Sequence, residues 1–344
     1  MKTHEKRVLR SDLWIDAAFD ERLGRESDVS VEVFPVRGNP AAAWAMLSGA
    51  HVYHVSAAKD ELPTEWIAGA ELLARCPQLL CVSSSGAGYD TVDVPACTAA
   101  GVAVVNQAGG NAPSVAEHTL GLMLGVSHRM VESDRRMRRE QGFTREDVMG
   151  HEIRGKTLGL VGIGHTGSRV AALAQAFGME VIATDPLLTP EEVARRGARA
   201  VSLPELLAQS DIVSLHCPRD ASTLRLMNAA TFARMKKGAL FISTARGGIH
   251  DESALAEALS SGHLAGAGLD VWDQEPPPLD HPLLAMDKVF ATFHTAGVTH
   301  EARRNVAAIG AEQIALLLTG GRPPRLVNPE VWPAYEQRRA QILR

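Results

Sequence analysis

Cysteine and aromatic residues are scarce in this chain of 344 residues, which has four cysteines and 5% Phe, Trp and Tyr. No C-x-x-C spacing occurs and no histidines cluster beside the cysteines, so a disulfide framework and a zinc site are both disfavoured, and we expect no bound metal. Scattered free thiols are typical of a reducing compartment, which favours a cytoplasmic protein. The four residues are Cys76, Cys81, Cys97 and Cys217.

Long apolar runs and an excess of one charge are also lacking. No run approaches the roughly 20 residues that cross a bilayer, and the polar residues 1–12 are not followed by the apolar segment of a secretory signal. The formal net charge is -5, which gives no electrostatic reason to expect a nucleic acid or an anionic membrane as partner. We therefore expect neither partner.

The apolar content is sufficient for a large core, since 45% of the residues are hydrophobic and 22% are charged. In the first hundred residues, short apolar runs at 29–34, 50–55, 79–83 and 102–106 alternate with helical stretches such as 66–75, which predicts a small α/β unit. A single long helix is then predicted over residues 111–140, with Pro113 in its first turn, where the missing N–H costs nothing.

A second series alternates strands and helices without interruption. Strands are predicted at 157–161, 180–184, 212–216, 239–244, 266–271 and 289–293, with helices at 168–177, 190–196, 231–236 and 252–260. Ser202 and Glu205 have the spacing of a capping box that starts another helix. The strands are almost continuously apolar, as in parallel strands covered on both faces.

These patterns predict an α/β protein of two doubly wound parallel-sheet domains with a cleft between them. We expect a last helix, residues 301–318, to return to the first unit. The substrate domain would then be discontinuous, with residues 1–110 and 298–344, and residues 111–297 would form a Rossmann dinucleotide-binding domain.

A glycine motif opens the second series. Gly162, Gly164 and Gly167, with His165 and Thr166 between them, fit G-x-G-x-x-G after a strand and before a helix. Such glycines permit a tight turn, close approach of a diphosphate and close packing of the helix on the strand. Asp185 ends the next strand, where a carboxylate accepts hydrogen bonds from ribose hydroxyls and repels a 2′-phosphate. The motif therefore predicts NAD in preference to NADP.

Three later segments lie near the carboxyl ends of successive strands, at the edge where open α/β sheets bind ligands. They are Thr244-Ala245-Arg246-Gly247-Gly248, Asp270 to Pro276, and His294-Thr295-Ala296-Gly297. These segments resemble the arginine, glutamate and histidine signatures of the D-isomer-specific 2-hydroxyacid dehydrogenases. The resemblance includes the loop Ser85 to Asp90, the stretch 111–118 and the glycine motif, and it is weakest over residues 1–75. Phe293 precedes the histidine where many relatives have proline.

The chemistry of that family assigns roles to these residues. Removing hydride from C2 requires a base for the hydroxyl proton, which we assign to His294, with Glu275 orienting the ring and stabilising the imidazolium. Arg246 supplies a planar, permanently charged donor for the substrate carboxylate. The backbone N–H groups of Ala87 and Gly88 are the expected second contact with that carboxylate.

The resemblance also implies cofactor contacts beyond the glycine motif. Asp270 is expected on the nicotinamide side, and the other expected contacts are Cys217, Pro218, Thr244, Ala245, His294 and Gly297. The implied activity is an NAD-dependent oxidoreductase acting on a small D-2-hydroxy acid or its 2-keto partner. We expect a homodimer formed through the apolar face of the helix that begins near Pro113, including Val115, Leu120, Met123, Leu124 and Val126.

Three alternatives stay open. A formate dehydrogenase of the same fold would pair the histidine with glutamine, because formate has no hydroxyl proton to remove, and Glu275 disfavours it. A phosphite dehydrogenase would share the Arg, Glu and His set. A nucleotide-sensing corepressor of the same fold would bind partners rather than turn over substrate, and the complete catalytic set disfavours that class.

Overall fold

The computed structural model describes residues 5–343, so residues 1–4 of the polar amino terminus and the last residue of the predicted 298–344 segment lie outside it. The residues form two compact units. Unit 1 comprises the described residues up to Asn111 and those from Thr299 onward, and unit 2 is Ala112–Val298.

Unit 1 is built on a five-stranded parallel sheet. Its strands are β1 (Lys6–Ser11), β2 (Val29–Phe34), β3 (Val52–Ser56), β4 (Cys81–Ser85) and β5 (Ala103–Val105), in the order β2-β1-β3-β4-β5. The connecting helices are α1 (Ala18–Leu23), α2 (Pro40–Leu47), α3 (Ala70–Arg75) and α4 (Val94–Ala99). The winding reverses between β1 and β3, which creates a switch point.

Unit 2 begins with two helices, α5 (Ala112–Ser127) and α6 (Met130–Arg139). Its remaining elements in chain order are β6 (Thr157–Val161), α7 (His165–Ala176), β7 (Glu180–Thr184), α8 (Pro190–Arg195), β8 (Arg199–Ala200), α9 (Leu203–Gln209), β9 (Ile212–Leu215), α10 (Ala229–Phe232), β10 (Ala239–Ser243), α11 (Glu252–Ser260), β11 (Leu264–Leu269) and β12 (Val289–Ala291). All strands are parallel, in the order β12-β11-β10-β9-β6-β7-β8. The prediction of two parallel-sheet α/β domains is confirmed.

The chain then returns to unit 1 with α12 (His300–Leu318) and α13 (Trp332–Ile342). Ala307, Ala311 and Ile314 of α12 are buried in the same core cluster as Val8 and Val105 of the sheet. Between these helices, Leu326 pairs with Val105 and the Val327 N–H donates to the Val104 carbonyl at 2.8 Å, so this segment runs along β5.

The prediction of one helix over residues 111–140 is wrong. The helix stops at Ser127, Arg129 adopts a left-handed conformation with φ 52°, and α6 starts at Met130. The Ser127 carbonyl, which would accept a bond from the next turn in a continuous helix, accepts the His151 N–H at 2.8 Å. The Ser127 hydroxyl donates to the His151 carbonyl at 2.7 Å. A distant segment therefore ends the helix.

Two smaller differences concern the bounds of one strand and one helix. The strand predicted at 266–271 is Leu264–Leu269, and it crosses α5 at two glycines. A Cβ at Gly266 would lie 2.5 Å from Val126 Cγ1, and one at Gly268 would lie 2.8 Å from Leu122 Cβ. The helix predicted at 231–236 is Ala229–Phe232, because Asn228 caps the N–H groups of the residues that follow it. The predicted Ser202 and Glu205 capping box is confirmed.

Candidate active site

The three predicted catalytic segments follow three neighbouring strands of unit 2. Arg246 comes three residues after β10, Asp270 comes directly after β11, and His294 comes three residues after β12. Because β12, β11 and β10 are adjacent and parallel, their carboxyl ends meet at one sheet edge.

His294 and Glu275 form a direct pair. His294 Nδ1 lies 2.7 Å from Glu275 Oε2, and Glu275 Oε1 accepts the Trp272 N–H at 3.1 Å. Burial by itself would raise the pKa of Glu275, but the hydrogen bond and charge of His294, the Trp272 N–H and the charge of Arg246 together lower it. The Glu275 carboxylate is thus held in its charged form against a ring whose side chain is 39% exposed.

A buried carboxylate holds the loop that carries His294. Asp270 accepts the Thr295 N–H at 2.8 Å, the Ala296 N–H at 3.0 Å and the Thr292 hydroxyl at 2.6 Å, and its carbonyl accepts the His294 N–H at 2.7 Å. These bonds keep His294 at φ 46°, a conformation that non-glycine residues seldom adopt. Asp270 therefore positions the loop that carries His294. Its contact with the nicotinamide remains a prediction.

Sequence reasoning did not identify the partners of Asp270. Thr292 also lies 3.0 Å from His118 Nε2, on α5, and His118 Nε2 is 3.6 Å from the Asp270 carboxylate. Thr292 and His118 lie 22 and 152 residues from Asp270 in the chain, so no local sequence pattern links them to it. Phe293, the residue that replaces the proline of many relatives, has a half-exposed side chain.

The Arg246 segment is fixed by glycine. A Cβ at Gly247 would lie 1.8 Å from the Trp272 carbonyl oxygen, so only glycine allows this loop to touch the loop that carries Glu275. The Gly248 N–H donates to Asp273 at 2.6 Å, and the Arg246 guanidinium donates to the Ala245 carbonyl at 2.7 Å. The glycine contact brings Arg246 into electrostatic range of Glu275.

The glycine motif lies at the switch point between β6 and β9. Gly162 has φ +90°, and a Cβ there would lie 2.8 Å from the Cys217 N. A Cβ at Gly167 would lie 2.4 Å from the Gly162 carbonyl oxygen, whereas one at Gly164 would meet no atom within 4 Å. Gly162 and Gly167 thus lie where a side chain would clash, as expected for a tight turn and for close packing of the helix. Gly164 faces open space, as expected for the approach of a diphosphate.

The same motif opens α7, which has twelve residues, with His165 and Thr166 in its first turn and no side chain capping its N-terminus. Backbone N–H groups at such a position suit a diphosphate, so these residues fit a dinucleotide. Asp185 follows β7 and accepts the Ile163 N–H at 3.0 Å and the Leu187 N–H at 3.1 Å. Burial raises the pKa of the Cys217 thiol to about 11, which keeps the thiol neutral.

The other predicted cofactor contacts differ in exposure. The Thr244 hydroxyl lies 2.9 Å from the Thr119 hydroxyl on α5, and both residues are buried. Ala245 is also buried, Gly297 is partly exposed, and Pro218 is on the surface. The assignment of Pro218, Ala245 and Gly297 to the cofactor remains a prediction.

Ala87 and Gly88 belong to unit 1, in the loop after β4. Asn106 donates to the Ala87 carbonyl at 2.8 Å, and Ser84 donates to the Gly88 carbonyl at 2.7 Å. Gln107 accepts the Gly86 N–H at 2.6 Å. The carbonyl oxygens of Ala87 and Gly88 are therefore engaged within the unit, and no acceptor in residues 5–343 is bonded to their N–H groups.

Among the described residues, no helix combines the length and the apolar character needed to cross a membrane.

Known proteins similar to this chain were found by family model, by sequence and by structure. Residues 120–296 match the family model described as D-isomer specific 2-hydroxyacid dehydrogenase, NAD binding domain. The chain is 40% identical over 266 residues to D-3-phosphoglycerate dehydrogenase of Archaeoglobus fulgidus, covering 77% of this chain and 50% of the relative. It is 37% identical over 265 residues to glyoxylate reductase of Korarchaeum cryptofilum, covering 76% and 80%.

Among solved structures, the glyoxylate reductase from Paecilomyes thermophila superposes with a TM-score of 0.83 at 30% identity, covering 95% of this chain and 99% of that one. The chain spans about half the length of the phosphoglycerate dehydrogenases it matches.

Proposed function

The chain belongs to the D-isomer-specific 2-hydroxyacid dehydrogenase family, and on that premise we propose that it interconverts a small 2-keto acid and the D-2-hydroxy acid using NAD. The observation that carries this proposal is the 2.7 Å pair of His294 and Glu275 beside Arg246. A nicotinamide bound by this family's nucleotide domain supplies or accepts the hydride.

His294 moves the proton. In reduction, its imidazolium donates a proton to the C2 oxygen, and in oxidation the neutral ring takes that proton back. Because Nδ1 is bonded to Glu275, the other ring nitrogen, Nε2, is the one that meets the substrate. Glu275 keeps the ring oriented and stabilises the imidazolium, as a carboxylate does for a histidine base elsewhere.

Arg246 binds the substrate carboxylate through its planar guanidinium, which presents several donors at once. We assign the N–H groups of Ala87 and Gly88 a second contact with that carboxylate. Their engaged carbonyl oxygens support this role, since the loop conformation is then fixed without using the N–H groups.

NAD is held by the glycine motif and selected by Asp185. The open position at Gly164 supports diphosphate approach, and the Asp185 carboxylate next to the motif supports recognition of a ribose diol. The remaining residues that we assign to the cofactor groove are His165, Thr166, Cys217, Pro218, Thr244, Ala245, Asp270, His294 and Gly297. Residues 111–297 would form the NAD domain, and residues 1–110 with 298–344 the substrate domain.

We place the enzyme in the cytoplasm, as a homodimer. The reduced cysteines favour that compartment, since all four thiols are free in the structure. Three of the four are fully buried and have a raised pKa, so they serve as apolar core residues rather than as reactive groups.

A substrate screen separates this function from its alternatives. NADH oxidation is measured with glyoxylate, hydroxypyruvate, pyruvate, phenylpyruvate and 3-phosphohydroxypyruvate, and NAD reduction with phosphite and formate. We expect turnover with at least one keto acid. Turnover with phosphite or formate alone would assign the chain to those dehydrogenases, and nucleotide binding without any turnover would favour the corepressor class.

The acid–base assignment is tested by two variants. His294→Ala should lose about 10²–10⁴-fold in kcat while still binding NADH, because a positioned acid–base group contributes that much. Glu275→Gln should move the loss of reductase activity to lower pH, because removing the carboxylate charge destabilises the imidazolium. The control is His128→Ala, at an exposed histidine after α5. Near wild-type turnover in His294→Ala, or unmoved pH profiles in Glu275→Gln, would contradict the mechanism.

A further inference from the structure

Two opposite charges hold a single residue of the glycine motif. Ile163, between Gly162 and Gly164, donates its N–H to Asp185 Oδ2 at 3.0 Å, and its carbonyl accepts from Arg196 Nη1 at 2.9 Å. Arg196 directly follows α8, so it reaches the motif from a different element than Asp185 does. The two side chains thus share one binding partner at the nucleotide edge of unit 2.

Their separation is limited by this shared partner. The two hydrogen bonds and the backbone bonds of one residue add to at most about 10 Å, which is comparable with the screening length at 0.1 M salt. A guanidinium has five N–H donors and the bond to Ile163 uses one of them. A cation with further donors therefore lies within about 10 Å of the carboxylate that we assign to the ribose diol.

We propose that Arg196 is a second cofactor-selecting residue, which lowers the penalty that Asp185 imposes on a 2′-phosphate. The ligand class concerned is an adenosine nucleotide with a phosphomonoester at the ribose 2′ oxygen. This inference rests on the proposed nucleotide site and adds to it. Asp185 alone predicts strict rejection of such nucleotides, whereas the pair of charges predicts measurable binding that depends on Arg196.

The geometry also predicts what happens when Asp185 is neutralised. Asparagine at position 185 keeps an oxygen for the Ile163 N–H but carries no charge. The Arg196 guanidinium then remains as the charged group bonded to Ile163, and arginine binds phosphate through several donors at once. Asp185→Asn should therefore shift the preference of the site toward nucleotides with a 2′-phosphate, although no new arginine is introduced.

A purely structural role for Arg196 makes a different prediction. If the side chain only fixes the Ile163 carbonyl, its loss should weaken all adenine nucleotides equally. Arg196→Gln separates the two roles, because glutamine keeps an N–H donor for the carbonyl and removes the charge. Arg195→Gln is the matched control, since Arg195 is exposed and forms an ion pair with Glu192, at 3.9 Å.

The experiment is calorimetric titration of the full chain with ADP and with adenosine 2′,5′-bisphosphate, neither of which can turn over. Arg196→Gln should weaken the bisphosphate about fivefold and leave ADP within about twofold, as expected for one partly exposed charge pair. Asp185→Asn should strengthen the bisphosphate relative to ADP about tenfold. The double variant should lose most of that gain, and Arg195→Gln should match the wild type.

Equal weakening of both ligands in Arg196→Gln would overturn the inference, as would a full gain in the double variant. Those outcomes leave the nucleotide site itself intact, because ADP still binds. Absence of ADP binding to the wild type would instead overturn the proposed function, and the inference with it.

Discussion

His250 shows how one residue can link stability to pH. It lies near the end of the Arg246 loop, is fully buried, and neither ring nitrogen has a hydrogen-bond partner within residues 5–343. Its ring packs 5.4 Å from that of Phe241. Burial lowers the pKa of His250 to about 4, although the nearby charges of Asp273 and Asp251 act in the opposite direction.

We predict that His250→Leu reduces the loss of stability in acid. Between the ordinary histidine value of about 6.5 and the folded pKa of about 4, the unfolded chain binds a proton that the folded chain does not, so acidification favours unfolding by about 1.4 kcal/mol per pH unit. Above this window the residue has no such effect. Urea unfolding at pH 8, 6 and 5 measures the difference.

His300→Gln, at an exposed histidine, is the control and should unfold with the wild-type pH dependence. Part of the dependence should survive in His250→Leu, because His54 and His216 also have pKa values lowered by burial, to about 3 and about 4. An identical slope in wild type and His250→Leu would show that His250 is protonated in the folded chain.

At the scale of elements, the break between α5 and α6 depends on Gly150. A Cβ there would lie 2.5 Å from the Ser127 carbonyl oxygen and 2.6 Å from His128 Cα, both of them backbone atoms that cannot move aside separately. Gly150 therefore allows the segment at His151 to bond Ser127 and end α5.

Gly150→Ala should lower the free energy of unfolding by about 1–3 kcal/mol, the usual range for overpacking, and should lower the melting temperature. Gly121→Ala is the matched control. Gly121 lies in α5 with no atom near its would-be Cβ, so alanine there should stabilise the helix by up to about 1 kcal/mol. An unchanged melting temperature for Gly150→Ala would mean that the segment at residue 150 does not fix the break.

Local signals explain which elements the sequence predicts. The capping box of Ser202 and Glu205 and the glycine motif before α7 have their partners within a few residues, and both are present in the structure. β1 carries no such signal, because Arg7 and Arg10 interrupt its apolar pattern. Their charges are balanced by Glu32 and Asp20, which lie elsewhere in unit 1.

The candidate site also contains residues that local sequence patterns identify and residues that they do not. Glu275 and His294 can be predicted as a pair because each occurs in a recognisable segment, and the structure joins them at 2.7 Å. The Asp270 bonds that hold the histidine loop, and the Arg196 bond to Ile163, connect residues 22 to 33 positions apart. Only the folded backbone brings those side chains within reach, so the sequence alone does not predict them.

At the scale of the whole molecule, the structure changes which apolar surface we expect to form the homodimer interface. Val115, Leu120 and Met123 of α5 are buried, so they are not the surface that we expected to meet a second chain. The exposed apolar side chains nearby in sequence are Met130, Met137 and Met149, on α6 and in the segment after it.

Light scattering coupled to size exclusion should give twice the 36.8 kDa of one chain. Replacing Met130 and Met137 by Glu should lower that mass toward a single chain, because burying an unpaired charge in an interface is costly. Leu279→Glu, at a fully exposed position, is the control. A monomer at all concentrations, or a dimer unaffected by the paired methionine changes, would remove α6 from the interface.

The segment that runs along β5 has a consequence for how the chain behaves among its own copies. An open edge strand offers unpaired backbone groups to any other extended chain, and this is a common route to fibres. Here the Val327 N–H and the Asn328 side chain occupy the Val104 carbonyl and N–H. Residues 327 and 328 therefore block the pairing of another extended chain with β5. This protection is present only after the last part of unit 1 has been synthesised.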